Sequence, residues 1–357
     1  MEYLIKNVKN KNFDKNLDIC QVFFFGKSRI ETLVFQNTIA SLTGSIPPIP
    51  LFTYENRDEN DYLTSLYINN NLSLTTFLKG QFTLHSLPSW EIKASKIIKG
   101  VSLASLTDDS KIISILSSRP FIYDSSFQII NPLKRAPIQN GDLFTSMSFN
   151  NLNRTLVSCT NCGTICIWDC LSNEQPIVLT LPRNINFQSL SLINNTIAIS
   201  TRNGQIYLFD SRNLFYNISK KSIDLTSFLL KEVNSSIFPN NDHRLDGICF
   251  SSEEPWKIGF QYINGPSGVF DLMTNIVSNV MKAPSDFPTE GSQNIKYRKQ
   301  IPIYQAGDFI FGYSWSNIIQ YGKKEINIPI HPVALAVHDN WDGLFTASYL
   351  GDIFHVF

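Results

Sequence analysis

A strand, a tight turn and a second strand closing on an aromatic–Asp pair occur twice in this chain, 41 residues apart. The first copy reads Thr155-Leu-Val-Ser-Cys159, Thr160-Asn-Cys-Gly163, Thr164-Ile-Cys-Ile-Trp168-Asp169. The second reads Thr196-Ile-Ala-Ile-Ser200, Thr201-Arg-Asn-Gly204, Gln205-Ile-Tyr-Leu-Phe209-Asp210. Short runs of Ile, Leu, Val, Phe, Thr and Tyr cut by Asn, Gly, Asp, Ser and Pro mark half-buried strands. The glycines of Asn203-Gly204 and Lys79-Gly80 supply the positive φ that a tight hairpin requires. Weaker copies extend both ways, and the equivalent third-strand ends fall at residues 85, 123, 168, 209, 270, 321 and 357. An apolar strand precedes most of these hairpins, at 62–68, 101–106, 143–149, 187–192, 245–250 and 333–337. Long helical periodicity is almost absent, so the expected class is all-β.

A unit of three or four strands every ~40–45 residues, ending in an aromatic–Asp dipeptide, resembles the WD-repeat β-propeller family. The resemblance spans nearly the whole chain, but its motifs are degenerate. Trp168-Asp169 is the only Trp-Asp that ends a third strand in the repeat pattern, and no Gly-His dipeptide is present. The likeness implies one propeller domain over residues 1–357, with seven blades. Residues 20–25, 31–35 and 38–42 allow an eighth. It also implies a ring closed by an N-terminal strand pairing with the last blade, with residues 3–8 or 19–25 as the expected donor.

Three segments break the rhythm and are expected as loop insertions: about 43–61, 211–244 and 278–300. The second contains Asp224-Leu225-Thr-Ser-Phe228-Leu229-Leu-Lys-Glu-Val233. Leu225, Phe228, Leu229 and Val233 fall on one helical face behind Asp224 as an N-cap, which predicts a helix with a face for docking.

Composition narrows the function classes. Thirty basic and thirty acidic side chains cancel, which argues against a protein dedicated to gripping nucleic acid or an anionic membrane. Lys134-Arg135 and Lys296-Tyr-Arg298-Lys299 are short, and nucleic acid is not expected as a direct ligand. No apolar run approaches the ~18 residues of a membrane span, and Met1-Glu2-Tyr3-Leu4-Ile5-Lys6 lacks the order of a signal peptide. An intracellular protein of nucleus or cytoplasm is expected, and six cysteines are too few for a disulfide scaffold.

Cys159, Cys162, Cys166 and Cys170 have a spacing that suggests a metal or iron–sulfur site. They overlay the best hairpin, however, and strand pairing keeps the four sulfurs from converging. His85, His243, His331, His338 and His355 form no close pair with metal spacing. No nucleophile elbow, phosphate-binding glycine loop or zinc-protease helix is present. No catalytic residue, cofactor, metal or small-molecule substrate is therefore expected. Phosphoinositide-binding propellers carry paired arginines, and no two arginines are adjacent here.

Residues 197–212 look like the adaptor-binding box of propeller substrate receptors in cullin-RING ubiquitin ligases. Phe209-Asp210-Ser-Arg212 stands where that box has Trp-Asp-x-Arg, and the likeness implies that Asp210 and Arg212 engage an adaptor. The Trp168 unit followed by Asn173-Glu174-Gln175-Pro176 distantly resembles small propeller nucleoporins of the nuclear-pore outer ring. The expected function is a non-catalytic scaffold within a multiprotein complex, with the ligase receptor as the alternative. The expected partner-binding residues are Asp210, Arg212, Leu225, Phe228 and Leu229.

Overall fold

The computed structural model describes residues 50–54, 61–69, 71–139, 141–181, 185–214, 222–233, 237–238, 243–263, 265–282, 303–305, 307–312, 318–321, 324–328, 332–338, 341–348 and 351–356. Its strands form seven antiparallel sheets in chain order. Blades 1 to 7 occupy residues 63–97, 101–132, 144–180, 187–224, 245–281, 303–327 and 334–355. Six sheets have four named strands and the last has three. The first strands of neighbouring blades touch around the axis, and Leu63–Ile68 of blade 1 meets Ala334–His338 of blade 7. The arrangement is a closed β-propeller of seven blades.

Closure comes from a short clasp. Leu51 N donates to the Ile353 carbonyl at 2.7 Å, and Ile353 N donates to the Phe52 carbonyl at 2.9 Å. Phe52 thereby bridges antiparallel to the outermost strand of blade 7 and completes a fourth row. Segment 43–61, expected as a loop, therefore contains the closing residues. The donors expected at 3–8 or 19–25, and the possible eighth unit, lie outside the described residues. Segment 211–244 likewise supplies structure: Ser222–Asp224 is the outer strand of blade 4, followed by helix α1, Leu225–Glu232. Most of segment 278–300 lies outside the described residues.

Register explains the recurrent aromatic–Asp pair. Tyr123, Trp168, Phe209 and Phe270 are all buried, and each sits opposite a fully buried aliphatic: Ile112, Leu156, Ile197 and Ile258. The following carboxylate caps the turn to the outer strand. Asp124 Oδ1 accepts from Ser126 N and Gln128 N, Asp169 Oδ1 from Leu171 N, and Asp271 Oδ1 from Met273 N and Thr274 N. Apolar anchoring and local turn capping are thus packed into two adjacent residues, which is why the dipeptide recurs.

Among the described residues the buried apolar side chains gather into seven clusters, each drawn from two neighbouring blades and, at the seam between blades 7 and 1, from the clasp. The core is the set of seams where sheets pack face to face, and apolar burial at ~25 cal/mol per Å² holds blade to blade.

Gly204 turns the second hairpin at φ +76°, and a Cβ there would lie 1.8 Å from Thr226 Oγ1 of α1. Gly204→Ala is expected to lower stability by about 1–3 kcal/mol in urea denaturation, because both backbone strain and helix docking are affected.

Candidate functional site

Asp210 ends the third strand of blade 4 and its carboxylate is engaged by its own turn. Oδ1 accepts from Arg212 N at 2.9 Å, and the Arg212 guanidinium donates to Oδ1 at 3.0 Å and to Oδ2 at 2.6 Å. This hydrogen bonding holds the Asp210 carboxyl below the usual carboxylate range and raises the Arg212 guanidinium. Arg212 is largely exposed while making the pair, so its alkyl stem and outer edge face solvent.

Helix α1 forms where expected. Asp224 caps it by accepting from Ser227 N at 3.0 Å. Its apolar face turns inward, however. Leu225 and Leu229 are fully buried in the seam between blades 4 and 5, and Val233 packs against the same cluster. Phe228 is half-buried and meets Phe270 edge-on, with ring centroids 5.8 Å apart. Leu225 and Leu229 are therefore core residues and offer no surface to a partner. The physical reason is that the nearest apolar surface, between blades 4 and 5, already covers the stripe. Amphipathicity marks an apolar face in sequence without saying what will cover it.

The four cysteines are split between two seams and the surface. Cys159 belongs to the cluster between blades 3 and 4, while Cys166 and Cys170 lie between blades 2 and 3. Cys162 is exposed. Burial pushes the Cys166 and Cys170 thiols up to about 12, so both stay protonated and poorly suited to nucleophilic or metal chemistry. Among the described residues no group of three His, Cys, Asp or Glu side chains could hold a metal ion. Lys134 serves structure through its carbonyl, which accepts from Trp168 Nε1 at 2.9 Å. Arg135 Nε donates to Ser118 Oγ at 2.5 Å. The Lys296–Lys299 stretch lies outside the described residues.

The sequence did not reveal how one face of the disc is organised. In an antiparallel meander the turn between strands one and two lies on the same side as the turn between strands three and four. Four blades join these two turns by one backbone hydrogen bond: Leu87 N to Asn71 O, Cys170 N to Arg154 O, Ser211 N to Asn195 O, and Leu272 N to Trp256 O. Side chains lace the same turns across blades. Asn69 Nδ2 donates to the Thr107 carbonyl at 2.9 Å, Arg154 pairs with Asp109 at 2.9 Å, and Asn150 Nδ2 donates to the Asn194 carbonyl. This turn face is a continuous, hydrogen-bonded surface from blade 1 to blade 4.

The fold defines a seven-bladed β-propeller, an architecture that is commonly a protein-interaction scaffold and typically non-catalytic. No family model matches the chain, and no curated protein matches it. Among the described residues no helix is long and apolar enough to cross a membrane.

Proposed function

We propose that the chain is a non-catalytic scaffold subunit that holds several proteins together in one assembly. The closed ring with a laced turn face carries this reading: a rigid disc displays residues from distant parts of the sequence in fixed relative positions. The likeness of the Trp168 unit to outer-ring nucleoporins makes a nuclear-pore type of assembly the first to test. Gentle purification of the tagged protein from its native cells, followed by mass spectrometry and light scattering, is expected to yield a stoichiometric set of co-eluting subunits. Elution of the chain alone, at the mass of one copy, overturns the reading.

The exposure of Arg212 supports a second reading, the substrate receptor of a cullin-RING ligase. Arg212→Ala is expected to leave the melting temperature unchanged, because the side chain is solvent-facing. Loss of a co-purifying ligase adaptor in that variant favours the second reading, and an unchanged partner set removes it.

A further inference from the structure

Within a net charge of zero, the described residues of the turn face are richer in carboxylates than those of the opposite face. On the turn face the third strands of blades 3 to 5 end in Asp169, Asp210 and Asp271, that of blade 2 is followed by Asp124, and the inner turns carry Asp108, Asp109, Glu253 and Glu254. The described cations of these turns are Lys111, Arg154, Arg212 and Lys257, and each is ion-paired to Asp109, Asp210 or Glu254. Asp124, Asp169, Glu253 and Asp271 lie outside those pairs, so the described residues of this face keep an excess of negative charge. The opposite face carries Lys99, Lys134, Arg135, Arg202, Lys231 and Lys282 on its described loops and strand ends, interspersed with Asp61, Asp142, Asp224, Glu232 and Asp352. The acidic face also bears apolar side chains that the fold does not bury. Leu152 is 87% exposed and Leu171 77%, in the paired turns of blade 3. In blade 5 Met273 is 74% exposed, and the Leu272 N to Trp256 O bond brings its turn beside the partly exposed Trp256.

We propose that the acidic turn face docks a Lys/Arg-rich protein segment that also carries apolar side chains, with Trp256 and Met273 of blade 5 as its anchor. The inference rests on the scaffold reading and deepens it by naming a face and a partner chemistry. Two features of the site converge on that occupant. Excess carboxylate attracts a basic segment from solution, since complementary fields steer encounter and select the partner. Trp256 and Met273 offer the apolar contact that a purely ionic surface lacks, and an indole face also receives Lys or Arg cations. An acidic partner, or the phosphate backbone of nucleic acid, would meet repulsion here.

The test is fluorescence anisotropy of a labelled peptide of alternating Lys, Arg and Leu, with a Glu/Leu peptide as control. Alongside the wild type, Glu253→Lys/Met273→Ala disables the proposed anchor, and Lys99→Glu/Arg202→Glu alters the opposite face. All four positions are surface sites, and circular dichroism checks that each variant keeps its fold. The wild type is expected to bind the basic peptide and not the acidic one. Binding should weaken roughly tenfold in the anchor variant, weaken at ~0.5 M salt, and be unchanged in the opposite-face variant. Equal weakening in both variants, or no preference for the basic peptide, overturns the proposal. Growth of particle mass with concentration, abolished by either variant, overturns it in favour of copies stacking turn face on opposite face. A stoichiometric partner set on purification together with any of these failures leaves the scaffold reading standing. Absence of partners removes that reading itself.

Discussion

Leu51→Pro is expected to lower the unfolding free energy of the ring by roughly 3–5 kcal/mol, a large share of what a domain normally has. Leu51 is buried in the seam between blades 7 and 1, and its N–H is half of the two-bond clasp on Ile353. Proline removes that donor, leaves the carbonyl of a fully buried residue without its partner, and fills the Leu51 site poorly. The clasp extends further inward, because Tyr54 Oη contacts both Thr75 Oγ1 and His85 Nε2 in blade 1. Breaking the clasp therefore loosens both blades of the seam. Hydrogen exchange read by mass spectrometry should show protection lost first in blades 7 and 1. Leu51→Ala, which retains the N–H, should give a smaller loss with the same pattern. Equal loss of protection around the whole ring in Leu51→Ala would contradict a local clasp.

Acid is expected to act on the same seam. His85 and His355 sit in blades 1 and 7, and burial pushes both imidazoles down to about 4. Ring contacts connect them across the seam: His85 to Trp90 at 5.9 Å, Trp90 to Phe345 at 5.7 Å and Phe345 to His355 at 5.1 Å. The groups facing His85 are the Tyr54 hydroxyl at 2.7 Å and the Trp90 carbonyl at 3.3 Å, with Phe52 edge-on to the ring. All are uncharged at neutral pH, so the imidazole stays neutral. The unfolded chain takes up protons near the ordinary histidine value of 6.5, whereas the folded ring resists until about 4. Stability is full above about pH 6.5 and is lost as pH falls toward about 4, by roughly 3 kcal/mol for each histidine. Urea titrations at pH 7.5, 5.5 and 4.5 (approximate settings chosen to span the window) measure the slope. His85→Gln, which carries no proton to take up, should flatten about half of it. An unchanged slope in that variant would show that other groups carry the acid sensitivity.

The inner three strands of six blades were legible because they are buried and therefore patterned. Val101–Leu106 and Leu245–Phe250 fall where the sequence places them, and the aromatic–Asp endings mark four blades outright. Outer strands were harder to see. Glu91–Ile97 is exposed along nearly its whole length, so nothing forces apolar residues to alternate there. The first strand of blade 6, Ile303–Gln305, is too short to carry a period. The closing residues were missed because Leu51 and Phe52 follow Pro47-Pro48-Ile-Pro50 and precede a charged run, a composition that signals a loop. A two-residue bridge leaves no periodic trace. Of the expected binding residues, Asp210, Arg212 and Phe228 retain exposed or half-exposed surface, while Leu225 and Leu229 are spent on the core. The acidic turn face escaped notice because its charges come from separate blades and cancel against distant lysines in any whole-chain count.

Because every apolar cluster among the described residues is shared by only two adjacent sheets, damage in this molecule should stay regional. A void opened beside Leu179 relaxes its own pair of blades, while the sectors across the axis keep their packing. Such a disc can vary one sector at a time and still present the remaining circumference unaltered to whatever it holds.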